Sequence, residues 1–119
     1  MQPIPPPTSV DGAAAVITRE VTAWDGVTAH PHRFGGVEFQ AGGRELGHLH
    51  GDRLADLLLP HAVHDRVIAE GRARPHHVLP DSNWVSVSIR SPEQVQDVID
   101  LLRIAYDRAM ARPLHSRRS

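Results

Sequence analysis

A glycine-rich stretch that ends in two histidines, residues 33–52, constrains the fold of this 119-residue chain more than any other feature. Alternating apolar and polar residues are typical of two β-strands, and Gly42-Gly43 suits the two-residue turn of a hairpin. Because side chains alternate along a strand, one face of the hairpin is expected to carry Val37, Phe39, Leu46, His48 and His50. Histidines on a packing face are either buried structural groups or the wall of a pocket.

Three helices are predicted around this hairpin. The first follows a proline-rich tail, residues 1–9, with Ser9 or Asp11 as its N-cap. The second begins at Pro60 and ends at Gly71. The third runs from Pro92 to about Ala111. Their apolar residues recur at helical spacing, which in the third helix gives the stripe Val95, Val98, Leu102, Ala105 and Ala109.

A second pair of strands is predicted between the last two helices. Residues 84–89 alternate cleanly, and residues 74–79 favour a strand before the turn cluster at 80–83. Residues 28–32 are expected to be extended, and residues 53–59 are either a strand or a helical turn. The order α-ββ-α-ββ-α predicts an α+β domain over residues 10–112, with an antiparallel sheet of four to five strands packed against helices, and a basic tail over 113–119.

Composition excludes several classes of protein. The chain has no cysteine, 13 basic and 14 acidic residues, and nine histidines. All the basic residues are arginine, so Schiff-base lysine chemistry is excluded. A near-neutral charge argues against nucleic-acid binding. No apolar run is long enough to span a bilayer and the N-terminus resembles no leader, so we expect a cytoplasmic protein that binds neither nucleic acid nor membrane. Its oligomeric state is left open.

The His48/His50 pair leaves three possibilities open, namely a metal site, a metal-free functional pocket and plain structural histidines. A metal needs further ligands, and the candidates His76, His77, Asp52 and Asp81 have no diagnostic spacing. Glu45 is expected on the opposite face of the hairpin. The incomplete ligand set favours the metal-free pocket, so we expect no metal and no cofactor.

Other residues complete the candidate site. Adjacent strand residues face opposite ways, so one of His76 and His77 can join the pair, and His77 is favoured because it is in phase with Leu79. His48, His50 and His77 are therefore the candidate catalytic residues. Four residues are candidates for substrate binding. Trp84 and Ser86 are expected on the less apolar face of their strand, Phe39 on the packing face of the hairpin, and Arg33 beside the hairpin. No Gly-x-Ser-x-Gly elbow or phosphate loop is present.

Three segments in order, residues 32–39, 43–52 and 76–87, closely resemble the luciferase-like domain family, which comprises small bacterial proteins and the domain of fungal luciferases. The resemblance implies a domain that handles small organic molecules. Its fungal branch implies oxygenation of a hydroxy-pyrone without flavin or metal, by a monooxygenase-type enzyme in which a histidine acts as base on an acidic enol or phenol. The alternative is a non-enzymatic binding or protein-interaction module. A fainter architectural similarity, to the MmcQ/YjbR family, implies a compact α+β fold.

Overall fold

The computed structural model describes residues 10–32 and 35–111, which form one α+β domain of three helices and a six-stranded sheet. The elements in chain order are α1 (Ala13–Thr22), β1 (Thr28–His32), β2 (Gly36–Ala41), β3 (Arg44–His50), β4 (Leu54–Leu58), α2 (His61–Ala69), β5 (Arg74–Pro75), β6 (Trp84–Ser88) and α3 (Pro92–Ala111). The predicted fold class is confirmed. The Arg33 position and the two tails, 1–9 and 112–119, lie outside the described residues.

The sheet has the order β1-β2-β3-β4-β6-β5, and every neighbouring pair is antiparallel. The predicted count of four to five strands was too low by one or two. Residues 28–32 pair with β2 as a strand of their own, and the ambiguous segment after residue 53 becomes β4, between β3 and β6. The order is therefore α-ββββ-α-ββ-α.

One face of the sheet packs against helices and forms the core. Its largest fully buried side chains include Phe39, Leu46, Leu49, Leu57, Val85 and Val87. Helix α3 covers them with the predicted stripe, in which Val98 and Leu102 are completely buried. The opposite, outer face carries polar residues.

The hairpin of β2 and β3 has the predicted turn, in which Gly42 and Gly43 adopt the positive φ angles of 62° and 76°. Its register differs from the prediction. Phe39 lies opposite Gly47, and Gln40 lies opposite Glu45, so Leu46 is an extra residue in a β-bulge. A one-residue bulge reverses the alternation beyond it.

The bulge moves the histidines to the other face of the sheet. Leu46 is buried in the core as expected, but His48 lies opposite Glu38 on the outer face, and Leu49 points into the core instead. The expectation that His48 shares a face with Phe39 was therefore wrong. Gly47 is required beside the bulge, because a Cβ there would lie 2.7 Å from the carbonyl oxygen of Asp56.

Asp11 is not the N-cap of α1, and the alternative, Ser9, lies outside the described residues. The cap residue of α1 is Gly12, and no side-chain cap from this position is formed. Instead Asp52, in the turn between β3 and β4, accepts hydrogen bonds from the backbone N–H groups of Gly12 at 3.0 Å and Ala14 at 2.8 Å. A carboxylate at this end also suits the helix dipole. Asp52 is thus engaged in holding α1 to the sheet.

Replacing Leu102 with alanine should lower the free energy of unfolding by about 2–5 kcal/mol, because the side chain is fully buried between α3 and the sheet. Urea unfolding measures the change. The matched control is Val16→Ala on α1, where a side chain that is 49% exposed should contribute less than about 0.5 kcal/mol. Equal effects of the two substitutions would contradict the assigned core.

Candidate functional site

A row of polar residues crosses the outer face of the sheet from one edge to the other. Each member lies directly opposite the next on the neighbouring strand, and the row reads His30, Glu38, His48, Asp56, Ser86 and Arg74. Its centre is Asp56 of β4, whose side chain is 1% exposed. A carboxylate buried in a sheet is unfavourable unless hydrogen bonds or opposite charges compensate it.

Four imidazoles and one hydroxyl compensate Asp56. Its Oδ1 accepts a hydrogen bond from the Ser86 hydroxyl at 2.6 Å. Its Oδ2 faces four Nε2 atoms, at 2.9 Å from His50, 3.2 Å from His48, 3.4 Å from His76 and 3.7 Å from His77. These five residues, Asp56 with the four histidines, are called the Asp56 cluster below.

His48 is held between two carboxylates. Its Nδ1 is 2.7 Å from Oε2 of Glu45 and its Nε2 is 3.2 Å from Oδ2 of Asp56. Burial alone would lower the pKa of His48, but the hydrogen bonds to Asp56 and Glu45 outweigh it and raise that pKa to about 9. In the absence of a competing cation, His48 is therefore an imidazolium at neutral pH and donates from both nitrogens.

The same contacts act on Asp56 in the opposite sense. Burial favours its neutral form, yet the hydrogen bonds from His48, Ser86 and His50 hold its pKa well below the usual range. Asp56 is thus ionised across the physiological range.

Glu45 reaches His48 because of the bulge, which corrects the expectation that these two residues face opposite ways. With Leu46 as the extra residue, Glu45 and His48 emerge on the same side of β3, three positions apart. The bulge therefore creates the second carboxylate contact as well as the register.

Both His76 and His77 reach the cluster, whereas the sequence predicted that one would. The predicted strand over 74–79 ends at Pro75, so side chains no longer alternate. His76 ends it by accepting hydrogen bonds at Nδ1 from the backbone N–H groups of Val78 and Leu79, at 3.1 and 3.0 Å. Its proton is accordingly on Nε2, which points at Asp56. His76 is buried, and the side chain of His77 is 55% exposed.

Aromatic rings surround the cluster on two sides. His32 of β1 stacks on His48, with ring centroids 4.2 Å apart and planes at 12°. His32 pairs with Gly36 of β2, where a Cβ would overlap the carbonyl oxygen of Leu49. Trp84 lies 5.4 Å from His48 and 6.2 Å from His76, between ring centroids.

The other predicted site residues are distributed as follows. Ser86 is buried beside Asp56, and Phe39 is fully buried in the core on the opposite face of the sheet. Asp52 caps α1, and Asp81 is exposed in the loop before β6. Arg33 lies outside the described residues.

The described residues line two cavities, and the imidazoles of the cluster line neither. One, of about 140 Å³, lies between the ends of β3, β4 and α3, and its walls include Arg44, Glu45, Leu58 and Arg108. Typical ligand pockets start at about 300 Å³, so this one has room for part of a small molecule. The other is bounded by Arg74 and Ser86.

Two groups of side chains have the spacing needed to hold a metal ion. One consists of His48, His50 and Asp56, and the other of Asp56, His76 and His77; within each group the ligand atoms lie within 4.8 Å of one another. Asp56 belongs to both groups.

Sequence reasoning missed Asp56, Glu45 and His32. The signal for Asp56 was an acidic residue within an otherwise apolar run, Leu54-Ala55-Asp56-Leu57-Leu58-Leu59. Such a residue in a strand between two others needs hydrogen bonds or opposite charges from its neighbours. The contact of Glu45 with His48 depends on the bulge. The stacking of His32 on His48 depends on the pairing of β1 with β2, which no local pattern indicates.

A family model described as Luciferase domain matches residues 43–105, which is more than half of the chain and extends from the hairpin turn into α3. Comparisons with curated proteins and with solved structures find no match. Within the described residues, no helix is long and apolar enough to cross a membrane.

The stability of the protein in EDTA should fall as pH rises from about 6.5 to about 9, because the pKa of His48 is raised in the folded state. The stabilisation is complete below the ordinary pKa of about 6.5 and is lost through the folded value, with a total of about 3 kcal/mol. The lowered pKa of Asp56 acts on the acid side instead, where stability is lost below about pH 4.

Urea unfolding across this pH range measures how the free energy of unfolding changes with pH. His48→Gln should remove the decrease between about pH 6.5 and 9. The control is His61→Gln, since the His61 side chain is 77% exposed on α2 and contacts Asp65 and Asn83. An unchanged decrease in His48→Gln would contradict the clamp between two carboxylates.

Proposed function

The chain belongs to the Luciferase domain family, and from this premise we propose that the Asp56 cluster binds a small conjugated acid, an enol or a phenol, and removes its acidic proton. The observation that carries the proposal is the convergence of four imidazoles on one buried carboxylate. Packing does not account for it, because apolar residues would fill this part of the sheet at lower cost.

His77 is the proposed base. His48 already carries a proton, and His76 has its proton fixed on Nε2 by two backbone donors. The His77 ring is the most exposed of the four, and its 3.7 Å distance from Asp56 is too long for a hydrogen bond. A carboxylate that close still stabilises the imidazolium that forms when His77 takes up a proton, as in an Asp-His pair of a hydrolase.

Trp84 and His50 are the proposed binding surface. Trp84 is half-buried next to His48, and the His50 side chain is 32% exposed beside Asp56. A flat conjugated ring can stack on an indole. The resemblance to fungal luciferases adds a further step, in which a carbon of the ionised, electron-rich ring gives two electrons to dioxygen. A carbon–oxygen bond forms, the O–O π bond breaks, and the product is a ring-bound peroxide that carries the negative charge.

A nitrophenol titration tests binding and proton removal together. In excess protein, the bound phenol should ionise at a lower pH than the free phenol, which its absorbance reports, and His77→Gln should abolish the shift. Oxygen uptake with hydroxy-pyrones then tests the oxygenation step. A bound phenol that ionises as it does in water would instead indicate the alternative, a non-enzymatic binding module.

Tryptophan substitutions locate the binding surface. Ligand quenching of fluorescence should disappear in Trp84→Phe and persist in Trp24→Phe, because Trp24 packs against Tyr106 between α1 and α3, away from the cluster. Quenching that depends on Trp24 would contradict the proposed surface.

A further inference from the structure

We infer that His48, His50 and Asp56 bind one divalent transition-metal ion, through Nε2 of each imidazole and Oδ2 of the carboxylate. This site goes beyond the proposed function, and neither depends on the other. It also departs from the expectation of a metal-free protein, which rested on an incomplete ligand set in the sequence. The structure supplies the missing ligand as Asp56.

Both nitrogen–oxygen distances in this group fit such an ion. The two Nε2 atoms lie 2.9 and 3.2 Å from Oδ2, and all three atoms lie within 4.8 Å of one another. An ion about 2.0–2.2 Å from each ligand requires adjacent ligand atoms about 2.8–3.1 Å apart in octahedral geometry and about 3.3–3.6 Å apart in tetrahedral geometry.

Hydrogen bonding alone leaves the cluster oversubscribed. Oδ2 of Asp56 faces three Nε2 atoms within 3.4 Å, from His50, His48 and His76, while a carboxylate oxygen offers about two lone-pair directions. Three N–H groups cannot all make good hydrogen bonds to it. A cation that replaces the protons on two of these nitrogens removes the conflict, because nitrogen and oxygen lone pairs then converge on one positive centre.

The outer partners orient two of the three ligands for this task. Glu45 accepts a hydrogen bond from Nδ1 of His48, which leaves the Nε2 lone pair of the neutral ring directed at Asp56. Ser86 donates to Oδ1 of Asp56 and leaves Oδ2 for the ion. Metal-bound histidines and carboxylates are typically held by such contacts.

The second group, Asp56 with His76 and His77, is a poorer site for a chemical reason. Nδ1 of His76 accepts two backbone hydrogen bonds, so the neutral ring carries its proton on Nε2, the atom that would have to bind the ion. His77 is left beside the site as an unligated ring.

The charge and the ligand types indicate the class of ion. Glu45 and Asp56 contribute two negative charges to a site whose ligands are otherwise neutral imidazoles, which matches one divalent cation. Two imidazoles and one carboxylate suit zinc, iron(II) or cobalt(II) better than magnesium or calcium, and three protein ligands leave coordination positions open.

Cobalt(II) titration of EDTA-treated, dialysed protein tests the site. Visible absorption bands should saturate at one cobalt per chain, and zinc should displace it. His50→Gln should abolish this saturable site; the ring is partly exposed, so the fold should tolerate the change. Glu45→Gln removes no ligand but should weaken binding about 10–100-fold, because it removes the charge that orients His48.

Two controls separate the site from adventitious binding. His61→Gln alters an exposed imidazole on α2, and His77→Gln removes the proposed base; both should retain one cobalt per chain. Circular dichroism of each variant verifies folding. The inference is overturned if folded wild-type protein binds no cobalt, or if His50→Gln and Glu45→Gln bind it as wild type does. Nitrophenol binding in EDTA reads out the proposed function separately, so the two can fail independently.

Discussion

The buried carboxylate of Asp56 is the interaction on which the outer half of this structure depends. Its charge lies in the middle of a six-stranded sheet at 1% exposure, where it would be strongly destabilising without compensation. Ser86 compensates it from β6, His48 and His50 from β3, and the loop after β5 brings two further imidazoles over it. Segments distant in sequence are thereby drawn to one point.

The β-bulge at Leu46 makes this arrangement possible. Without the extra residue, His48 would enter the core, on the opposite face from Glu45. With it, Leu46 and Leu49 fill the core while Glu45 and His48 meet on the outer face. Bulges often redirect a side chain next to a functional site. Here one inserted residue lets β3 place leucines in the core and the Glu45–His48 pair on the outer face.

Local patterns predicted much of the fold and less of the site. The stripe of α3, the alternation of β6 and the Gly42-Gly43 turn are set by residues close together in sequence, and each is found where expected. The burial of Asp56 depends on the pairing of β4 with both β3 and β6. Asp52 caps α1 through contacts with residues 38 and 40 positions earlier in the sequence. The bulge depends on how β3 fits β2, which neither strand indicates alone. His76 ended a predicted strand by accepting hydrogen bonds from backbone N–H groups two and three residues later, so a local side-chain contact replaced strand pairing.

The protonation state of the individual imidazoles tests the central role of Asp56 most directly. The measurement is long-range proton–nitrogen NMR of the EDTA-treated protein at about pH 8. This pH lies between the ordinary histidine pKa of about 6.5 and the pKa of about 9 for His48. We expect His48 to carry protons on both nitrogens, neutral His76 to carry its proton on Nε2, and Asp56→Asn to return His48 to the neutral form. A neutral His48 in the wild-type protein, or one that is unaffected by Asp56→Asn, would contradict a site organised by the buried carboxylate.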